Sequence, residues 1–145
     1  MFRALILSLL LAAAALAAAD TPEHLLLLGD EHAGAVFGDV AKAAAPVLAK
    51  RRIKCSAEDA KGLTAAAVHE QLERLVLRRK PTRVLLAVGA NDLWDFKKDQ
   101  AVAGADAAAV RAHLLAAVEG LRQAGVEVML ATPPAFGAEA AGPQA

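Results

Sequence analysis

The sequence predicts an α/β protein on a doubly wound parallel sheet of about four strands, with helices on both faces. Three observations predict it. Short apolar runs stop at glycine or proline, stretches with helical apolar spacing separate them, and the two kinds alternate from residue 24 to residue 131. Crossovers of this length make the strands parallel, and the right-handed rule restricts the topology to a doubly wound sheet.

The first strand is expected at residues 24–28. Leu25, Leu26, Leu27 and Leu28 follow one another and Gly29 stops them, the pattern of a strand buried on both faces. Val36, Val40, Ala43, Ala44, Val47 and Leu48 then share one face of a helix near residues 36–50. Pro46 removes a hydrogen bond inside it and predicts a kink or an early end. Residues 53–55 form a short second strand. Val68, Leu72, Leu75 and Val76 mark a second helix, closed by Arg78, Arg79 and Lys80 ahead of Pro81. The clearest strand is residues 83–88, halted by Gly89. Asp106 caps a third helix with Val110, Leu114, Val118 and Leu121 on one stripe, and Gly125 follows where a left-handed residue is wanted. Residues 126–131 make the fourth strand, ended by Pro133 and Pro134. No internal repeat is visible.

Composition narrows the class of protein. The chain has 145 residues, enough for one domain with a modest core. Its 16 basic and 16 acidic side chains cancel, and no basic block stands out, which argues against a nucleic-acid partner. An apolar content of 57% argues against intrinsic disorder. The single cysteine, Cys55, excludes an internal disulfide framework and a CxxC zinc site.

The N-terminus has a three-part export pattern. Arg3 supplies positive charge, residues 4–16 are apolar apart from Ser8, and Ala17, Ala18 and Ala19 precede Asp20. Residues 4–19 fall short of the roughly 20 that a membrane-crossing helix needs. Residues 1–19 are therefore expected to be a cleaved signal peptide, residues 20–137 the domain and residues 138–145 a flexible tail. The mature chain is expected in the periplasm or outside the cell, with no stable membrane span. In that oxidising setting Cys55 reads as a buried, inert thiol, or as a link between two chains.

In a doubly wound sheet, ligands sit beyond the carboxyl ends of the strands. The segments expected there are residues 29–34, 56–62, 89–95 and 132–137. The first begins Gly29-Asp30-Glu31-His32 and the third Gly89-Ala90-Asn91-Asp92. A strand followed by Gly-Asp, and sixty residues later a strand followed by Gly-x-Asn-Asp, resembles the SGNH (GDSL-type) hydrolases. The fourth strand with Thr132-Pro133-Pro134 is similar to the corresponding segment of that family. The likeness covers residues 24–137 and implies a flavodoxin-like sheet and ester or acyl hydrolysis.

The resemblance also implies site residues. The family uses a serine in the first motif and a histidine with an aspartate three residues before it. Its oxyanion donors are the serine N–H, a glycine after the second strand and the asparagine of Gly-x-Asn-Asp. Here the nucleophile position is Glu31, and no Asp-x-x-His occurs in the 145 residues. Gly62 looks too late to be the second-strand glycine. Asn91 matches the oxyanion asparagine; Gly29, Asp30, Gly89 and Asp92 match as binding and scaffold positions. The likeness is thus to a degenerate member, and one that stops short of the family's fifth strand. Loss of a triad serine or histidine costs about 10⁶-fold in rate.

Two readings follow. In one, the domain no longer hydrolyses but retains binding of an ester or acetylated glycan. In the other, it is an active acylhydrolase with an unusual acid site using Glu31 and Asn91. A third idea places a hard cation among Asp30, Glu31, Asp92 and Asp95 with Asn91. Against it stands the expectation that Asp30 and Asp92 bond backbone N–H groups, and no metal or other cofactor is assigned. Ser56, the sole serine after residue 19, reads as a turn residue, and His32 as a solvated loop residue. His24, His69 and His113 should lie away from the site, and Trp94 should pack over residues 89–92. With four strands, the last is an exposed edge that invites a homodimer.

Overall fold

The computed structural model describes residues 22–95 and 97–131, and of Glu31, His32, Ala35 and Asp59 the backbone alone. The expected signal peptide, the segment 132–137 and the tail lie outside the described residues. In chain order the elements are β1 (Glu23–Gly29), α1 (Glu31–Ala49), β2 (Ile53–Asp59), α2 (Ala65–Glu70), α3 (Leu72–Leu75) and a 3₁₀ turn (Leu77–Arg79). Then come β3 (Arg83–Ala87), α4 (Ala90–Leu93), β4 (Trp94–Asp95), β5 (Gln100–Ala101), α5 (Ala107–Gln123) and β6 (Glu127–Leu130).

Four parallel strands form one sheet in the order β2-β1-β3-β6, while β4 and β5 make a small antiparallel ribbon. The chain steps outward from β1 to β2 and then returns past β1 to β3. That reversal opens a crevice beyond the carboxyl ends of β1 and β3. The run of leucines explains why β1 is central, because both of its faces are covered. Leu26 and Leu28 pack with Val84 and Leu86 of β3 beneath Val68, Leu75, Ala117 and Leu121 from the helices and Val76 from the turn after α3. The opposite face, where Leu27 is 2% exposed, lies under α1, which packs on β1 and β2. Helices thus cover both faces, as the pattern predicts.

Several boundaries move, for physical reasons. The helix expected near residue 36 begins at Glu31, because Asp30 caps it directly after the strand. It continues through Pro46 to Ala49. Pro46 and Lys42, whose carbonyl loses its partner, are both exposed, so the proline stands on the solvent side of the helix, where a lost bond costs least. The second strand runs to Asp59 rather than ending at Cys55. Its Ser56 and Glu58 are polar yet find partners on the same face, Ser56 with His24 and Glu58 with Arg79 at 2.6 Å. The second helix breaks at Gln71, which leaves helical geometry (φ −116°, ψ 24°). The break sets Leu72 against Gly120 of α5, so closely that a Cβ on Gly120 would stand 2.8 Å from Leu72 Cδ2. Asp106 caps α5 as expected, accepting from Ala108 N at 2.8 Å, and Gly125 takes φ +77° after its end.

β6 stands at the edge of the described sheet, with Met129 40% and Leu130 53% exposed. No helix among the described residues is long and apolar enough to cross a membrane.

Candidate active-site crevice

The crevice is built from two glycine-led loops. After β1, the backbone of Gly29 carries α1 at a distance only glycine allows. A Cβ there would stand 2.7 Å from Ala33 Cβ and 2.9 Å from Gly34 N. Asp30 follows, 3% exposed, with Oδ1 accepting from Ala33 N at 3.2 Å. It is the N-cap of α1, and its own N–H donates to Ala87 O of β3 at 3.1 Å. Glu31 is therefore the first residue of α1, directly above the carboxyl end of β1 and tied through its neighbour to β3. A helix N-terminus favours an acid by about 0.3–1 kcal/mol, which gives Glu31 a structural reason to be there.

After β3, Gly89 adopts φ +115°, a left-handed turn into the single helical turn α4. That turn aims the Asn91 and Asp92 side chains at the loop after β2. Asn91 Nδ2 donates to Leu63 O at 3.2 Å. Asp92 accepts from Ala65 N with both oxygens, at 2.9 and 3.2 Å. Ala65 is fully buried, so Asp92 satisfies a helix-start N–H that water cannot reach. Thr64 caps the same helix, its Oγ1 accepting from Ala67 N at 3.1 Å.

Gly62, Thr64, Asn91, Trp94, Asp95, Lys97 and Val102 line an open depression of about 410 Å³. Gly62, Thr64, Lys97 and Val102 were not singled out as site residues by sequence. Gly62 closes the expected segment 56–62 and, because β2 runs to Asp59, follows the strand by three residues. Trp94 does not simply cap the Gly89 turn. It opens the β4–β5 ribbon, paired with Ala101, and lines the depression.

Asp30, Asp92 and Asp95 are already committed. Asp30 and Asp92 hold backbone N–H groups as expected. Asp95 Oδ1 accepts from Lys97 N and Lys98 N, and Oδ2 meets Lys98 Nζ at 3.2 Å. The bond from the Lys98 side chain, followed by those backbone N–H groups, holds its carboxyl below the usual carboxylate range. Among the described residues no group of three His, Cys, Asp or Glu side chains is placed to hold a metal.

Ser56 corrects a sequence expectation. It lies inside β2, three residues before the strand's end, and not in a loop beyond it. Its Oγ is 2.7 Å from His24 Nε2, while His24 Nδ1 lies 3.1 Å from Arg79 O. A carbonyl can only accept, so Nδ1 carries the proton and Ser56 donates to Nε2. The pair anchors the 3₁₀ turn to the amino-terminal part of the sheet, away from the crevice. Burial, followed by the charge of Lys54, pushes the His24 pKa down; the carbonyls of Arg79 and Lys80 oppose this. The native state thus resists protonation more than the unfolded chain, and stability should fall as pH drops below about 6.5. A melting-temperature series from pH 7.5 to 5 should show that slope, and His24→Gln should flatten it. Burial also pushes the half-buried Cys55 thiol up, consistent with an unreactive thiol.

No family model matches the chain, and no curated protein matches it. Solved structures do. An acetyl xylan esterase superposes with a TM-score of 0.62 at 22% identity, over 77% of this chain and 59% of that one. A psychrotrophic esterase from a Pseudoalteromonas species gives 0.60 at 24% identity, over 81% and 65%. A structure described as a lipolytic protein of the G-D-S-L family, from Desulfitobacterium hafniense, gives 0.56 at 24%, over 79% and 62%. The chain spans about three fifths of the length of these proteins. Their likeness establishes an SGNH-hydrolase-like fold.

Proposed function

We propose that this chain is an exported SGNH-type, esterase-like domain that binds an ester or acetylated glycan without hydrolysing it by the serine mechanism. One observation carries the reading. The residue that opens α1, immediately after Gly29-Asp30 at the carboxyl end of β1, is Glu31 and not a serine. A glutamate in the position of the family's serine has no hydroxyl to serve as the nucleophile, so the serine mechanism has no starting group there.

The binding part of the reading rests on what remains. Asn91 is held in place through Leu63 O and faces the depression, and the fold is shared with an acetyl xylan esterase. Trp94 and Val102 offer an apolar wall, and Thr64 and Lys97 offer donors. That mixture suits a sugar carrying a small acyl group. Export rests on Arg3, the apolar stretch behind it and Ala17–Ala18–Ala19 before Asp20.

The test is retention of the exported protein, starting at Asp20, on acetylated against chemically deacetylated xylan. The reading expects retention on the acetylated polymer, weakened about tenfold by Asn91→Ala, a loss of roughly 1.4 kcal/mol. Equal retention on both polymers, or none on either, would overturn the binding part.

A further inference from the structure

Away from the crevice, two imidazoles meet on the outer surface. His69 ends α2 and His113 lies in the second turn of α5, helices that pack against each other. Their Nδ1 atoms are 3.4 Å apart, the ring centroids 5.6 Å, and the planes are inclined by 45°. His69 is exposed and His113 half-buried, so an ion can reach both from solvent.

We propose that His69 and His113 form a two-point chelate for a transition-metal ion of the Cu²⁺, Ni²⁺ or Zn²⁺ class. The separation of the nitrogens is the main argument. Imidazole nitrogens bind zinc at about 2.0–2.1 Å, and two such ligands on a tetrahedral ion stand about 3.3–3.4 Å apart. At 3.4 Å the two nitrogens are within reach of a long N–H···N hydrogen bond, and the same spacing fits two ligands on one ion, which would displace the shared proton. Imidazole pairs select borderline metals over Mg²⁺ and Ca²⁺, which take oxygen ligands. With two protein ligands, water completes the coordination.

The chelate would fasten the helices that flank the crevice. α2 begins at Ala65, whose N–H is held by Asp92, and α5 passes Val110 beside Gly89, with Cγ1 3.6 Å from where a Cβ would stand. A metal on His69 and His113 therefore braces the loops after β2 and β3 from behind, with no part in the ligand site itself.

The experiment uses the tag-free full chain carrying Cys55→Ser, so that no thiol competes. Melting temperature is followed against Ni²⁺, Zn²⁺ and Mg²⁺, and Cu²⁺ is read by electron paramagnetic resonance. At a hundredfold excess over Kd, Ni²⁺ or Zn²⁺ should raise the melting temperature by about 5–10 °C, and Mg²⁺ should not. His69→Gln and His113→Gln should each weaken binding at least about tenfold. The Cu²⁺ spectrum should show two coupled imidazole nitrogens in the parent and one in either variant. No shift in the parent, or the same shift in the double variant, overturns the site, as does a one-nitrogen spectrum in the parent.

Discussion

The protein should turn over p-nitrophenyl acetate no faster than a heat-denatured control. An intact serine triad supplies about 10⁶-fold in rate, and its members act as a unit, so loss of the nucleophile removes nearly all of it. Attack by Glu31 on an ester would produce an anhydride, and no Asp-x-x-His within these residues provides a base to clear it. The oxyanion machinery alone is insufficient. A single donor is worth about 10²–10³ where a nucleophile exists to use it, and one Asn91 N–H already serves Leu63 O. Glu31→Ser should therefore remain silent, because a hydroxyl without a base stays protonated. Turnover by the wild-type chain that Glu31→Gln abolishes would establish the other reading, an acid-site acylhydrolase.

Gly29→Ala should destabilise the fold by about 3 kcal/mol, the upper end of what overpacking costs. The added methyl would meet Ala33 Cβ at 2.7 Å and the Gly34 backbone nitrogen at 2.9 Å, and neither is a flexible tip that can swing away. Relief requires α1 to lift from β1, which also disturbs the Asp30 cap and its bond to Ala87 O. Gly38→Ala in the same helix is the matched control. Nothing lies within 4 Å of a Cβ there, so the usual preference for alanine should stabilise by about 0.5–1 kcal/mol. Urea midpoints moving in opposite directions would verify both; a neutral Gly29→Ala would show that α1 does not lie this close.

The sheet was legible because its inner strands are apolar on both faces. Leu25–Leu26–Leu27–Leu28 and Val84–Leu85–Leu86 have no other comfortable environment, and Asp106 and Gly125 punctuate α5 by backbone chemistry that depends on neighbours alone. β2 was half hidden, since Ser56 and Glu58 read as a loop until His24 and Arg79 are seen opposite them. Those partners are distant in sequence, and polar residues on an edge strand carry no local sign of being paired. The same holds at the crevice. Gly-x-Asn-Asp announces Asn91 and Asp92, but their hold on Leu63 and Ala65 spans 28 and 27 residues respectively and exists only in the folded chain. The β4–β5 ribbon that presents Trp94 is too short to show as a pattern.

The central claim, a crevice that holds an acylated ligand over Asn91 while Glu31 leaves the ester intact, can be read in a single nuclear magnetic resonance titration with an acetylated xylo-oligosaccharide. Shifts are expected at Gly62, Thr64, Asn91, Trp94, Lys97 and Val102, together with an acetyl methyl signal that keeps its full intensity for days. Free acetate accumulating in step with protein concentration, or shifts that avoid Asn91, would contradict it.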